Sequence, residues 1–315
     1  MSAVNKPHAK KVSSGETIVK YGMVINVDKC TGCGACMVAC ASENNVNVLP
    51  DESNKVRSIT WMRVYRVETG GKFPHHEVAY IPRPCMHCEG ARHHDFFGRP
   101  IRPAEEIVHD KHGSPDTPCI SVCPPTATDY EPEGGIVSQI PTRCIGCRYC
   151  VAACPYHARY FNWYDGDWPT GMERYLNPKV APRMRGVVEK CTFCHHRLMA
   201  ARAKATYQAK IAAAKAKKTG PVKIDPPRYQ TACAEACPAK AINFGIISDP
   251  REPVAELIKV GHIETHKSGP KWYKFRLLEN LGTNPKIHYI TRRKWIVDAA
   301  NNSLTRPFAA QLFKS

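Results

Sequence analysis

Sixteen cysteines fall into four groups of four with none left over. The first group, Cys30, Cys33, Cys36 and Cys40, and the third, Cys144, Cys147, Cys150 and Cys154, share the spacing C-x2-C-x2-C-x3-C residue for residue. The second, Cys85, Cys88, Cys119 and Cys123, and the fourth, Cys191, Cys194, Cys233 and Cys237, instead share a C-x2-C pair, a long insert and a C-x3-C ending. Three of the four closing cysteines precede a proline: Pro124, Pro155 and Pro238. This spacing is that of iron-sulfur ligation. A C-x2-C-x2-C loop wraps three corners of a cubane while the amides between its cysteines face the inorganic sulfides, and the fourth thiolate comes from elsewhere. Zinc takes two pairs and gives no role to a third cysteine three residues after a C-x2-C. A disulfide framework fits less well still. A chain of this length builds its own core, and its cysteine content lies below the roughly 8–10% of a disulfide scaffold.

The gaps between groups suggest how they pair. In two-cluster ferredoxins the cysteine closing C-x3-C-P ligates the neighbouring cluster, so two runs are tied together by crossed ligands. Cys123 and Cys144 are 21 positions apart, and the segment T-D-Y-E-P-E-G-G-I-V between them reads as a hairpin. Groups two and three therefore resemble one contiguous two-cluster ferredoxin, leaving groups one and four to pair across it. Four 4Fe-4S clusters are expected: Cys30, Cys33, Cys36 with Cys237; Cys40 with Cys191, Cys194, Cys233; Cys144, Cys147, Cys150 with Cys123; and Cys154 with Cys85, Cys88, Cys119. Sequential pairing, one with two and three with four, is the alternative. The nested reading places the Cys30 set at one end of a relay and the Cys85 set at the other.

Composition constrains what surrounds the clusters. The formal charge of +17 would suit nucleic acid or an anionic surface, but sixteen thiolates and four oxidised cubane cores bring it to about +9. Much of the basic excess thus balances the chain's own cofactors, and no nucleic-acid partner is expected. Lys29, Arg83, Arg143, Arg148 and Lys190 each adjoin a cysteine group, where a cation favours the reduced cluster; the alternative for each is a solvated surface charge. No run approaches the roughly 18 apolar residues of a membrane span. The basic, polar N-terminus lacks an apolar signal core and a twin-arginine pair, so no export address of its own is expected.

The elements that must position these groups can be placed coarsely. The fold class expected is α+β: two nested ferredoxin-like units with long insertions and an irregular C-terminal extension. Residues 1–20 form an N-terminal arm. Residues 21–80 plus 185–250 form unit A, with a helical insert at 195–230; residues 81–184 form unit B; residues 251–315 form an extension docking on partner subunits. Strands are expected at M-V-I-N-V-D, at 61–67 and at 241–247, and a short helix at 252–260. Residues 195–218 are rich in strong helix formers and read as a basic helix ended by Thr219-Gly220-Pro221, a solvated projection in preference to a docking element for an acidic partner or a lipid-headgroup contact. His93, His94, His109 and His112 fall in the insert between Cys88 and Cys119 and read as polar loop residues, the alternative being metal binding or proton shuttling. Trp272, Tyr273, Phe275, Tyr289, Trp295 and Phe308, scattered through the cysteine-free tail, are expected to wrap over another subunit.

The four groups, the run C-I-G-C-R-Y-C-V-A-A-C-P-Y-H-A-R-Y-F-N-W and the later R-G-V-V-E-K-C-T-F-C-H-H-R resemble the iron-sulfur subunits of complex iron-sulfur molybdoenzymes, over residues 22–290. Members serve polysulfide, dimethyl sulfoxide and tetrathionate reductases. Asp167-Trp168-Pro169, R-Y-L-N-P at 174–178 and L-G-T-N-P at 281–285 are similar to subunits of quinone reductase complexes and alternative complex III. The resemblance implies the same nested ligand pairing. It also implies single electrons passed through four clusters, between a polytopic quinone-binding membrane subunit and a molybdopterin-type large subunit or a haem-bearing partner such as a multihaem cytochrome c. A peripheral membrane protein is implied, on the periplasmic side by co-export with a signal-bearing partner in preference to the cytoplasmic side. Group one ends Cys40-Ala41 in place of Cys-Pro, which leaves the ligand role intact. Some relatives lose a cysteine from group three; here Cys147 is present, favouring 4Fe-4S, although a labile iron could leave one 3Fe-4S cluster in the purified protein.

No Gly-rich dinucleotide motif, nucleophile elbow or acid-base pair is present, so no catalytic site of its own is expected. A soluble polyferredoxin is the second hypothesis, and a zinc-dependent nucleic-acid-binding protein the third.

Overall fold

A computed structural model describes residues 19–47, 59–69, 71–72, 74–90, 117–131, 134–166, 168–180, 184–217, 220, 224–260 and 272–301. Most of the N-terminal arm, the four histidines between Cys88 and Cys119, Asp167 and Phe308 lie outside the described residues. In chain order the elements are β1 (Tyr21–Asn26), α1 (Ala35–Glu43), β2 (Arg63–Glu68), β3 (Val78–Arg83), α2 (Pro118–Ser121), β4 (Thr128–Glu131), β5 (Ile136–Gln139), α3 (Tyr149–Ala153), β6 (Tyr160–Phe161), β7 (Val188–Glu189), α4 (His195–Lys215), α5 (Ala232–Glu235), β8 (Ile242–Ile246), α6 (Pro253–Val260), β9 (Tyr273–Phe275), β10 (Ile287–Thr291) and α7 (Lys294–Asn301). Helices and strands are mixed, as an α+β fold requires.

All six residues of β1 are buried, because its two faces are covered separately. Met23 and Ile25 enter the main core, whereas Val24 packs with Val254 of α6 and Ile290 of β10. Three further strands complete the sheet in the order β8-β1-β10-β9, with β8 antiparallel and β10 parallel to β1. The remaining strands form the two-stranded pairs β2–β3, β4–β5 and β6–β7. The T-D-Y-E…I-V hairpin forms where the sequence places it, as β4–β5.

Two helix contacts arrange the cysteine groups. α1, carrying Cys36 and Cys40, packs against α5, carrying Cys233; α2, carrying Cys119, packs against α3, carrying Cys150. Groups one and four are therefore neighbours, and so are groups two and three.

The C-terminal segment departs from the irregular extension that the sequence suggests. Residues 272–301 return to unit A: β10 supplies the parallel neighbour of β1, β9 pairs with β10, and α7 covers both. Burial explains the return. Ile287, Tyr289 and Ile296 are wholly shielded and Phe275 nearly so, and the Tyr289 hydroxyl donates to the Pro82 carbonyl at 3.0 Å. In the sequence these strand residues look like scattered aromatics because a five-residue strand after a long gap carries little periodic signal. The Leu281–Pro285 segment also ties this part to group two: the amides of Glu89 and Gly90 donate to the carbonyls of Asn284 and Thr283.

α4 is held at its root by ion pairs. The Arg197 guanidinium donates to both Glu43 carboxylate oxygens at 2.7 Å and to Glu235 at 2.6 Å, and His196 meets Glu43 at 2.6 Å. Arg197, and after it His196, hold the Glu43 carboxyl down at about 2, so the clamp stays charged through the neutral and mildly acidic range. Beyond Arg202, which meets Glu131 at 2.6 Å, Tyr207 and Ile211 face solvent.

Two outcomes are expected. Ile287→Ala should destabilise the loaded protein by about 2–5 kcal/mol in denaturant unfolding, as for a fully buried aliphatic side chain; a change within about 0.5 kcal/mol would mark a surface position. Glu43→Gln should speed amide hydrogen exchange in residues 195–198 by a factor of about 5–30, the equivalent of about 1–2 kcal/mol after allowance for partial exposure. Unchanged exchange would show that the clamp does not hold α4.

Candidate metal centres

The first C-x2-C of each group turns through the left-handed region at the residue before its second cysteine: Gly32 (φ 75°), His87 (φ 44°), Gly146 (φ 73°) and Phe193 (φ 52°). In groups one and three this residue must be glycine on two counts. A Cβ at Gly32 would meet the Tyr80 ring at 2.6 Å, and one at Gly146 would collide with the Gly186 carbonyl oxygen. In groups two and four the position is filled by rings that stack on each other, His87 against Phe193 at 3.7 Å and 19°. Bulky residues in this conformation cost energy that surrounding structure must offset. Here the stack itself joins the two units.

The thiols gather in four sets. Cys30, Cys33, Cys36 and Cys237 line one cavity, with Val64, Pro82 and Pro238 around it. Cys40 lies within electrostatic range of Cys191, Cys233 and Cys194; Cys88 within range of Cys85, Cys119 and Cys154; and Cys150 within range of Cys119 and Cys123. Cys144 and Cys147 belong to the same loop as Cys150, and the Cys144 sulfur accepts from the Val188 amide at 3.4 Å.

Burial orders these sets. Every cysteine of the Cys40 and Cys85 sets is buried, whereas Cys33 is exposed and Cys30, Cys123, Cys144 and Cys147 are half-buried. Cys191 lies within range of Cys85, which joins the two buried sets, and Cys36 adjoins Cys40 and Cys233. The order along the molecule is the Cys30 set, the Cys40 set, the Cys85 set and the Cys144 set. This corrects the expectation that the Cys85 set ends the relay: the His87–Phe193 stack draws group two inward against group four, and group three takes the far end.

Second contacts support the sulfurs. Backbone amides donate to Cys123 from Thr128 (3.4 Å), to Cys194 from Ala232 (3.5 Å) and to Cys237 from Ala241 (3.3 Å). The Asn44 amide reaches Cys40 and Cys194, and the Thr231 hydroxyl lies 3.3 Å from Cys233. Such bonds, with burial and nearby charge, set cluster potentials.

Burial pushes Cys36 and Cys191 up to about 12 and Cys40 well above the usual thiol range, with neighbouring cysteine charges adding to the shift. Thiols packed this way become thiolates only when a cation takes them as ligands. A 4Fe-4S core does so, and when bound it takes up and releases one electron at a time. A single ion suits the geometry poorly. Zinc sits about 2.3 Å from each sulfur, and among the described residues no three His, Cys, Asp or Glu side chains converge in that way.

Of the five cations singled out in the sequence, Arg83 and Lys190 are buried and Lys29, Arg143 and Arg148 are exposed. Arg83 donates to the Tyr65 hydroxyl and lies 4.8 Å from that ring's centroid. Lys190 donates to the carbonyls of Val137 and Cys191. Sequence reasoning missed His87, Arg159 and Lys286. His87 is fully buried, its Nδ1 accepting from the Val137 amide at 3.2 Å. Burial, then Lys190, Lys286 and Arg159, hold it well below its usual range and hence neutral. Its place inside C-M-H-C is the one local signal; Arg159 and Lys286 lie far from any C-x2-C.

The 4Fe-4S dicluster domain family matches residues 29–127 and 143–241, and a second 4Fe-4S dicluster family matches residues 115–155, across the join of groups two and three. The iron-sulfur cluster-binding subunit of menaquinone reductase from Nitratidesulfovibrio vulgaris is 49% identical over 91% of this chain and 94% of its own. A putative dimethyl sulfoxide reductase iron-sulfur subunit from Halobacterium salinarum is 33% identical over 87% and 79%. An iron-sulfur subunit of the Hdr-like menaquinol oxidoreductase from Archaeoglobus fulgidus is 31% identical over 86% and 82%.

Proposed function

We infer the function from one premise: the chain belongs to the 4Fe-4S dicluster family and is an iron-sulfur electron-transfer subunit of an oxidoreductase complex. It carries four 4Fe-4S clusters and no catalytic site of its own. The ligand assignment proposed is the crossed one: Cys30, Cys33, Cys36, Cys237; Cys40, Cys191, Cys194, Cys233; Cys85, Cys88, Cys119, Cys154; and Cys123, Cys144, Cys147, Cys150. The observation that carries the function is the arrangement of these sets, two buried in the middle and one at each end reaching the surface.

Such an arrangement relays electrons between two docking partners. Both ends carry exposed apolar side chains suited to an interface: Val38 beside the Cys30 set, and Ile145 and Tyr149 within the Cys144 loop, with Trp163 and Tyr164 nearby in sequence to Phe161, which Arg148 overlies. The partners proposed are a polytopic quinone-binding membrane subunit and a molybdopterin-type or haem-bearing subunit. The menaquinone reductase and menaquinol oxidoreductase relatives favour quinone as one terminus. Among the described residues no helix is long and apolar enough to cross a membrane, which suits a peripheral subunit. The periplasmic face, reached by co-export with a partner, is proposed.

Cys237→Ala should lower the iron content from about sixteen to about twelve per chain. The paramagnetic resonance signal lost should be the one lost in Cys33→Ala, and not the one lost in Cys194→Ala. The reverse match would establish uncrossed ligation. Purification from detergent-solubilised membranes should recover the chain with other subunits; a lone soluble protein would support a diffusing polyferredoxin instead.

A further inference from the structure

Three cations are buried around His87, in the Cys85–Cys88 turn, without a carboxylate of their own. Arg159, Lys190 and Lys286 are 3%, 0% and 2% exposed, and among the described residues none of them forms a salt bridge. A buried charge left unpaired is costly enough that a counter-charge is expected nearby. Each cation is placed by firm local structure. Lys286 follows Pro285 in the segment that grips group two, its amide donating to the Met86 carbonyl at 3.0 Å. Its ammonium lies 4.9 Å from the centroid of Tyr130 and has no hydrogen-bond acceptor. Arg159 spends one terminal nitrogen on Thr128 (3.1 Å) and Gln139 (2.9 Å) and turns the guanidinium toward Cys119 and Cys150. Lys190 anchors on the carbonyls of Val137 and Cys191. All three lie within range of His87, at the centre of the Cys85–Cys88 turn.

The surplus differs from set to set. Glu89 is the acid nearest Lys286 in effect, but it pairs with Lys20 at 2.9 Å; burial lowers the Lys286 ammonium to about 8, which leaves it charged at neutral pH. At the Cys40 set, Arg197 beside Cys194 is matched by Glu43, leaving Lys190 beside Cys191. At the Cys30 set, the charges felt by Cys30 and Cys36 are those of other cysteines. Lys286 acts on Cys85 and Cys88, Arg159 acts on Cys85 and Cys119 as well as on Cys150 of the Cys144 set, and Lys190, beside Cys191, meets the Cys85 set at His87.

We propose that Lys286, Arg159 and Lys190 make the cluster held by Cys85, Cys88, Cys119 and Cys154 the easiest of the four to reduce. It then acts as an electron well in the interior of the relay. The physical basis is that reduction adds a negative charge to a water-poor site already holding fixed positive charge, which lowers the free energy of the reduced form. The inference rests on the ligand assignment given under Proposed function.

The test is a redox titration of the native complex followed by electron paramagnetic resonance. Cys85→Ala identifies the signal of the inner cluster, and Cys33→Ala that of the outer one; if Cys85→Ala removes no signal, the ligand assignment fails. In the parent protein the Cys85-dependent signal should appear first as the potential is lowered. In Lys286→Met its reduction equilibrium should fall at least tenfold, about 59 mV for a one-electron couple, while the Cys33-dependent signal moves less than threefold. Lys286→Arg should restore the parent value, which a purely structural role would not require. Arg159→Met should shift the inner cluster in the same direction, and supplies the reading if Lys286→Met fails to load iron. A Cys85-dependent signal that is not the first to appear would overturn the proposal. So would a charge-removing variant with full iron whose inner cluster moves less than threefold.

Discussion

Thiols that are buried as neutral groups must function as anions. Burial, with the charges of neighbouring cysteines, drives Cys36 and Cys191 to about 12 and Cys40 well above the usual thiol range, so the protein around these thiols is a place where thiolates are unfavourable until metal arrives. Metal loading and completion of the fold are therefore coupled. The same constraint accounts for the placement of cations. Lys190, Lys286 and Arg159 would be expensive in an apolar core, and they make electrostatic sense only opposite the negative charge that thiolates and reduced clusters bring. Amide donors from Thr128, Val188, Ala232 and Ala241 extend this compensation to the sulfurs of the other sets.

The nested path of the chain follows from where these sulfurs must meet. α1 packs on α5 and α2 on α3, bringing distant groups together while leaving groups two and three contiguous. The two pairs are then joined by the His87–Phe193 stack, at the C-x2-C turns of groups two and four. Glycine is required where a ring or a carbonyl closes on the turn, as at Gly32 and Gly146; at His87 and Phe193 the rings themselves fill the contact. The C-terminal segment locks this arrangement, since β10 extends the sheet of unit A while the loop before it holds Glu89 and Gly90 of group two.

Much of this is legible in the sequence because cysteine spacing is a strong local signal. The four groups, the β4–β5 hairpin, β8, α6 and the extent of α4 all follow from short-range pattern, and each lies where that pattern puts it. The failures share a cause. Which set lies inside depends on the proximity of Cys85 to Cys191, more than a hundred residues apart, and no local pattern reports it. β10 is five residues long and follows a long gap, so its burial beside β1 depends on a parallel pairing of remote segments. Arg159 and Lys286 look like ordinary basic residues in the sequence, because neither adjoins a C-x2-C pair and only the fold brings them to the clusters.

The linear order of four sets, two buried and two at the ends, is the claim on which the electron-relay account stands. Iron-edge anomalous diffraction from crystals of the native complex tests it most directly. The account predicts four cubane-sized peaks in a single file, in the order Cys30 set, Cys40 set, Cys85 set, Cys144 set, each touching cysteines from two groups. A file with the Cys85 set at an end, or a peak bound by the four cysteines of one group, would contradict it.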